Sequence, residues 1–379
     1  MPTHIASTED EIVDAVKTAR DWKSPLEIVG GGSKRAFGRA VVTMGSVLDV
    51  SGLTGILSYE PEELILTAAP GTPVVEIEAA LAEKGQRLGF DPPDWGPLLG
   101  SGAGLGTIGG AICCDVNGPA RVRCGAVRDH LLGFRGVNGF GEAFKAGGKV
   151  VKNVTGFDIP KMMCGSFGTL GVLTEVTLRV FPQPPLSITL LVRGLSDADG
   201  FALLRKVWSS PLDATGLAFS RGNALIRFEG EKEPLAEKCA LARNLIGPLD
   251  VTEIDEGEIA FRAIGSGEMF ADTPYDVWRA FVPPASAAAV AAEIDAPLWL
   301  GDWAGGLLWL GVLPGSDGVR DVVKRHGGHA VLLRAEEETR ERIAVFGPEE
   351  PTRAALTRSV KAAFDPLGLF NPGRMWDGI

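Results

Sequence analysis

The sequence predicts a two-domain protein of mixed α and β structure, and three observations carry that expectation. Its 379 residues exceed one ordinary domain. Short strand-like and helix-like runs follow one another along the whole chain. Composition then changes at Pro182-Gln183-Pro184-Pro185, a linker-like run, with glycine loops concentrated before it.

The elements follow in order. Thr8 and Glu11 have capping-box spacing, and Ile12, Val13, Val16 and Ala19 form a helical stripe. Pro25 to Val29 reads as a buried strand running into Gly30-Gly31-Gly32-Ser33-Lys34, so the chain opens as a βαβ-type unit. A second helix follows Pro70-Gly71, with Thr72 as cap and Pro73 in the first turn, and ends near Lys84-Gly85. A glycine-rich stretch occupies roughly 95 to 125. Next comes a polar turn, Asn153-Val154-Thr155-Gly156, then the loop Gly165-Ser166-Phe167-Gly168-Thr169-Leu170-Gly171. In the strand behind that loop, Val172, Val176, Leu178 and Val180 face one way, and Glu175, Thr177 and Arg179 the other. Past the linker, Arg221-Gly222-Asn223 reads as a hairpin turn and Val277 to Phe281 as a strand. Ala285 to Ala296 reads as a helix, and Leu298–Leu300 and Leu307–Leu310 as strands of one sheet.

Composition excludes several classes. With 48 acidic and 37 basic residues the net charge is -11, which argues against a general binder of nucleic acid or of an anionic membrane. Five cysteines, an odd number without CxxC, argue against a disulfide framework or an iron–sulfur site and for buried thiols in a reducing compartment. The four histidines show no metal-ligand spacing, so no metal is expected. Trp95 to Cys114 is uncharged but carries seven glycines, which suits a ligand loop better than a membrane span.

Three glycine loops carry the candidate chemistry. Gly30 to Lys34 follows a strand, where successive N–H groups can form an anion nest; an ordinary tight turn fits the same residues. Gly104-Leu105-Gly106-Thr107-Ile108-Gly109 spells GxGxxG, yet no strand reads before it and no clear helix after it. The expectation is therefore a loop lining a pyrophosphate, with Arg121 or Arg128 supplying charge. The third loop, Gly165 to Gly171, allows close backbone approach to a ligand.

These segments occur in one order: IVGGGSKRAFG (28–38), APGTPVVEIEAAL (69–81), GTIGGAICCDVNGPARVRCGAVRDHLLG (106–133), the stretch 151–182, and AFDPLGLFNPGRM (363–375). The set resembles the FAD-binding subunits of bacterial glycolate oxidase, within the vanillyl-alcohol oxidase superfamily. That resemblance implies an α+β fold: a PCMH-type FAD-binding domain of two subdomains over 1–182, an antiparallel-sheet cap domain over 183–361, and a tail over 362–379 returning to the flavin domain.

Carried over residue by residue, the resemblance implies cofactor contacts from Gly30, Gly31, Gly32, Ser33, Lys34, Gly71, Thr72, Thr107, Ile108, Gly109, Gly110, Asn117, Gly118, Arg128, Gly165, Gly168, Gly171, Val172, Asn371 and Arg374. No histidine stands in the first loop, so FAD is expected to be non-covalent. Catalytic residues are not identified; Arg279, for a substrate carboxylate, and His329 are the candidates. The function implied is oxidation of a small 2-hydroxy acid, glycolate, or relay of its electrons. The expected partners are a second flavin subunit and an iron–sulfur subunit. The expected location is the cytoplasm, at the inner membrane face through partners and without a span of its own. A stand-alone FAD oxidase or dehydrogenase of another hydroxy acid or sugar, and a structural flavoprotein subunit, are the alternatives.

Overall fold

Residues 2–39, 45–148 and 158–379 are described in this computed structural model. The turn at Asn153–Gly156 lies outside them. The chain divides into two units. The first comprises Met1–Val116, Ala126–Pro182 and Pro348–Ile379; the second comprises Asn117–Gly125 and Gln183–Gly347.

The first unit begins with β1 (Thr3–Ile5), α1 (Glu9–Trp22), β2 (Leu26–Val29) and β3 (Ser46–Asp49). The predicted capping box starts α1: the Glu11 N–H donates to Thr8 Oγ1 at 3.3 Å, and the Thr8 N–H donates to the Glu11 carboxylate. Ile12, Val16 and Ala19 are buried at helical spacing. The strands form a parallel sheet in the order β1-β3-β2.

A second sheet follows: β4 (Ile56–Glu60), β5 (Ile65–Ala68), β7 (Leu131–Val137), β8 (Ala143–Gly147) and β9 (Val172–Arg179), antiparallel in the order β4-β5-β9-β7-β8. A ribbon of β6 (Gln86–Arg87) and β10 (Phe181–Pro182) stands beside it in sequence. The predicted alternation of β9 fails at its start: Leu173, Val176 and Leu178 bury with Leu66 and Phe134 in one core, because the register against β7 shifts at Arg135/Gly136. Val172 belongs to the other core, with Val137, Leu48 and Phe370.

Two local expectations need correcting. Thr72 does not cap α2 (Val74–Ala82), whose N-terminal residue has no side-chain cap. Its hydroxyl instead donates to the Ala69 carbonyl at 2.7 Å and accepts from the Gly55 N–H at 2.9 Å, bracing two loops. A helix does follow the GxGxxG run: α3, Ile108–Cys113, capped by Thr107. It has six residues, and the element before the run is a 3₁₀ turn, Pro97–Leu99, rather than a strand. Among the described residues the dinucleotide βαβ context is therefore absent here.

The second unit is an eight-stranded antiparallel sheet. Its strands are β11 (Leu186–Arg193), β12 (Gly216–Ser220), β13 (Asn223–Gly230), β14 (Asp250–Ile254), β15 (Asp276–Phe281), β16 (Leu298–Asp302), β17 (Leu307–Val312) and β18 (His329–Arg334). They run in the order β14-β11-β13-β12-β16-β17-β15-β18. Phe219, Ile226, Phe228, Trp278 and Leu308 are fully buried between this sheet and helices such as Asp197–Trp208 and Lys232–Ile246. Asn117–Gly125 joins this unit through three contacts. The Trp303 indole N–H donates to the Gly118 carbonyl at 3.0 Å, Arg121 lies 4.4 Å over the Trp303 ring, and Arg123 pairs with Asp213.

The C-terminal helix, Pro351–Phe364, groups with the first unit, so the return begins ahead of the tail expected at 362. Phe370 then bridges in parallel to Leu26 of β2. No helix among the described residues is long and apolar enough to cross a membrane.

Candidate functional site

β2 ends at Val29 and passes directly into Gly30–Lys34, which forms one wall of a cavity in the first unit. The cavity holds about 800 Å³ of empty space, including the part open to solvent. Gly31, Gly32, Ser33 and Lys34 all line it, and among the described residues no protein acceptor takes their backbone N–H groups. Backbone donors without partners are rare in folded chains. The Lys34 ammonium adds a positive charge at the same wall. Its one hydrogen bond among the described residues is to Ser33 Oγ at 3.1 Å. Burial holds its pKa below the ordinary lysine value, while Cys114, Asp94 and Cys113 act in the opposite direction.

The second loop behaves differently. The Ile108 N–H donates to the Thr72 carbonyl at 2.9 Å, the Gly109 N–H to the Pro70 carbonyl at 2.8 Å, and the Gly110 N–H to Thr107 Oγ1 at 3.3 Å. These donors are already in use. Thr107, Gly109 and Gly110 line the cavity, but Ile108 is fully buried in the core instead. Gly109 is glycine for packing: a Cβ there would sit 2.7 Å from the Pro70 side chain.

The third loop and the C-terminal strap make the opposite wall, with Gly168, Gly171, Val172, Asn371 and Arg374 lining it. Asn371 Nδ2 donates to the Phe167 carbonyl at 2.7 Å, and its Oδ1 accepts from the Ile28 N–H at 2.8 Å. Its amide thus clamps loop to strand. Arg374 donates to the carbonyls of Lys34 and Arg35 at 3.0 and 2.8 Å and so ties the strap to the first loop. Glycine at 168 allows the clamp, because a Cβ there would lie 2.8 Å from Asn371 Nδ2 and φ is +68°.

Seven predicted contacts do not line this cavity. Gly71 packs on the Val50 and Leu53 carbonyls, Thr72 braces Gly55 and Ala69, and Ile108 is core. Gly165 donates to the Ile112 carbonyl at the end of α3. Asn117 and Gly118 belong to the second unit, as does Arg121, and Arg128 is exposed on the short helix Val127–His130. The sequence reading missed Glu27, Pro70, Cys113 and Cys114, which do line it. Glu27 holds Arg35 in a two-point ion pair at 2.9 and 2.6 Å. Cys113 ends α3 and Cys114 is its C-cap. Burial pushes the Cys113 thiol up to about 12 and raises that of Cys114.

In the second unit the catalytic candidates sit on neighbouring strands. Arg279 of β15 is 5% exposed, and its guanidinium lies 5.0 to 5.3 Å from the rings of Trp309, Phe281 and Trp303. His329 of β18 stacks on Phe281 at 4.8 Å. Trp303 and Ala304 hold φ of 51° and 59°, a backbone that non-glycine residues adopt at a cost and that the Trp303–Gly118 bond and Arg121 help to keep.

Comparison with known proteins agrees with these features. Residues 3–147 match the FAD binding domain family. The glycolate oxidase subunit GlcE of Escherichia coli (strain K12) is 34% identical over 376 residues, 96% of each chain. The glycolate oxidase subunit GlcD of Bacillus subtilis (strain 168) is 31% identical over 66% of this chain and 52% of its own. Among solved structures, p-cresol methylhydroxylase with substrate bound superposes with a TM-score of 0.75 over 99% of this chain and 88% of its own. At 15% identity that likeness shows a shared PCMH-type α+β fold and nothing more. The chain belongs to the FAD-binding GlcE family of glycolate oxidase subunits.

Proposed function

We propose that this chain is the FAD-carrying subunit of a multi-subunit oxidoreductase that oxidises glycolate, a small 2-hydroxy acid, to glyoxylate. FAD is held non-covalently in the cavity of the first unit. One observation carries the assignment of the site: four backbone N–H groups at Gly31–Lys34, unclaimed among the described residues, stand beside the Lys34 ammonium. That donor set fits the two negative charges of a pyrophosphate. The apolar remainder of the wall, including Ile28, Val50 and Leu173, fits an aromatic base. Gly110 lines the cavity as shape, since its N–H is spent on Thr107 Oγ1. Ser33, Lys34 and Arg35 stand where a histidine would be needed for covalent attachment in that loop. Burial keeps Cys113 and Cys114 as thiols, which are poor nucleophiles.

FAD, when bound, accepts the two electrons lost as a carbinol becomes a carbonyl. The chain's own residues bind and orient. Arg279, fixed among three aromatic faces, offers a planar cation to the substrate carboxylate. His329 stacks on Phe281, one of those faces, at 4.8 Å, and the base for the hydroxyl proton is completed by the partner subunits. A second flavin subunit and an iron–sulfur subunit complete the assembly and carry the electrons away.

Two measurements test this reading. Acid precipitation of the FAD-loaded chain should leave the yellow flavin in the supernatant; a yellow pellet would contradict non-covalent binding. Anaerobic stopped-flow mixing with glycolate should reduce the flavin slowly or not at all in the isolated chain and rapidly once the partner subunits are added. Fast bleaching without partners would instead make the chain a stand-alone enzyme.

A further inference from the structure

We propose that the buried Lys361–Asp365 pair positions the cofactor cavity: it fastens the C-terminal strap to the loop Gly165–Gly171, so that FAD binding and strap docking stabilise each other. This rests on the reading of that cavity as the FAD site.

Lys361 lies in the last turn of the C-terminal helix and is 5% exposed; Asp365, four residues on, is 1% exposed. The Lys361 ammonium donates to Asp365 Oδ2 at 2.7 Å, to the Thr169 carbonyl at 2.7 Å and to the Phe370 carbonyl at 3.1 Å. A lysine has three donors, and these contacts use all of them. Asp365 in turn accepts from the N–H groups of Leu369 at 2.9 Å and Phe370 at 2.8 Å. One cation therefore touches the end of the helix, the glycine loop and the strap together.

Past this fastener the strap reaches both cavity walls. Asn371 bonds to Leu26, Ile28 and Phe167, and Arg374 bonds to the carbonyls of Lys34 and Arg35. Buried opposite charges are tolerated only with complete hydrogen bonding. Lifting the strap strips Phe370 from Lys361 and two donors from Asp365 at once, so partial release is unfavourable. The strap thus has two states, docked and released. A ligand that needs the cavity in its docked shape shifts the balance toward docking.

The wild-type chain tests this with trypsin, followed by mass spectrometry at the Arg374–Met375 bond. Cleavage there needs the strap released, and its rate follows the released population when reclosing is fast. Saturating FAD should slow cleavage at least tenfold, and Lys361→Met should weaken FAD binding at least tenfold. A fastener with a merely structural role leaves the cleavage rate indifferent to FAD. Equal rates with and without FAD, in a chain shown to hold FAD, overturn the coupling. So does a folded Lys361→Met chain that binds FAD within twofold of wild type. If Lys361→Met does not fold, the wild-type comparison decides alone. Undiminished FAD binding by Lys34→Met would remove the cavity assignment and this proposal with it, whereas weakened binding there with equal cleavage rates sinks the coupling only.

Discussion

Gly30–Lys34 and Thr107–Gly110 look alike as sequence, both glycine-rich and both at the mouth of a helix or turn, yet the structure uses them in opposite ways. In the second loop the N–H groups of Ile108, Gly109 and Gly110 are all taken, by Thr72, Pro70 and Thr107. Its glycines let chain pack on chain. In the first loop four successive N–H groups from Gly31 to Lys34 have no protein acceptor among the described residues. A glycine motif therefore does not say whether its backbone faces a ligand. The count of unclaimed donors does.

The largest effect that separates the two loops is expected from Gly109→Ala. The new Cβ meets Pro70 atoms at 2.7 and 2.9 Å, a clash with side chain and backbone. Overpacking of this kind should cost about 3 kcal/mol of stability. Chemical denaturation checks it, and the folded fraction should bind FAD nearly as wild type does. A large affinity loss with unchanged stability would mean that Gly109 meets the ligand after all.

Lys34→Met should show the reverse pattern. Loss of a charged donor to phosphate should weaken FAD binding by about 2 kcal/mol, roughly 30-fold, as read by fluorescence titration. Stability of the cofactor-free chain should not fall, because Lys34 makes only the bond to Ser33 Oγ among the described residues. A stability loss with unchanged affinity would make Lys34 structural.

Gly110→Asp should fall between these two. A Cβ at 110 stands 3.6 Å from Lys34 Nζ, so the carboxylate would pair with the ammonium meant for phosphate. FAD binding should weaken by about 1.5 kcal/mol, near tenfold, with little change in stability. Full occupancy would show that the Lys34 charge is not needed.

The smallest effect is a pH dependence. Burial lowers the folded-state pKa of Lys34, so the folded chain binds fewer protons than the unfolded chain between that value and 10.5. The cost of the buried charge is present at lower pH and fades as pH rises through the folded pKa. Wild type should therefore gain stability relative to Lys34→Met on approaching pH 10.5, measured by paired denaturation curves. A flat difference would mean that the ammonium is well solvated.

Much of the fold was legible because its signals are local. The Thr8–Glu11 capping box and the Arg221-Gly222 hairpin turn each depend on neighbours within a few residues. The presence of glycine loops around a cavity was legible for the same reason. What they bond to was not. Whether the Gly109 N–H is spent depends on the Pro70 carbonyl, far back in the chain, and whether Thr72 caps a helix depends on Gly55. Lys361 and Asp365 have ordinary helix-surface spacing, and only the docked strap shows that they are buried. Asn117–Gly125 reads as part of the glycine-rich region, but Trp303, almost two hundred positions later, draws it into the second unit.

The contrast between the two loops is tested most directly by amide hydrogen exchange during FAD titration. Binding to the first loop should slow exchange at Gly31, Gly32, Ser33 and Lys34 markedly. Ile108, Gly109 and Gly110, already bonded to protein, should change little. Protection appearing at 108–110 while 31–34 stay as fast as in the cofactor-free chain would contradict the assignment of the pyrophosphate site.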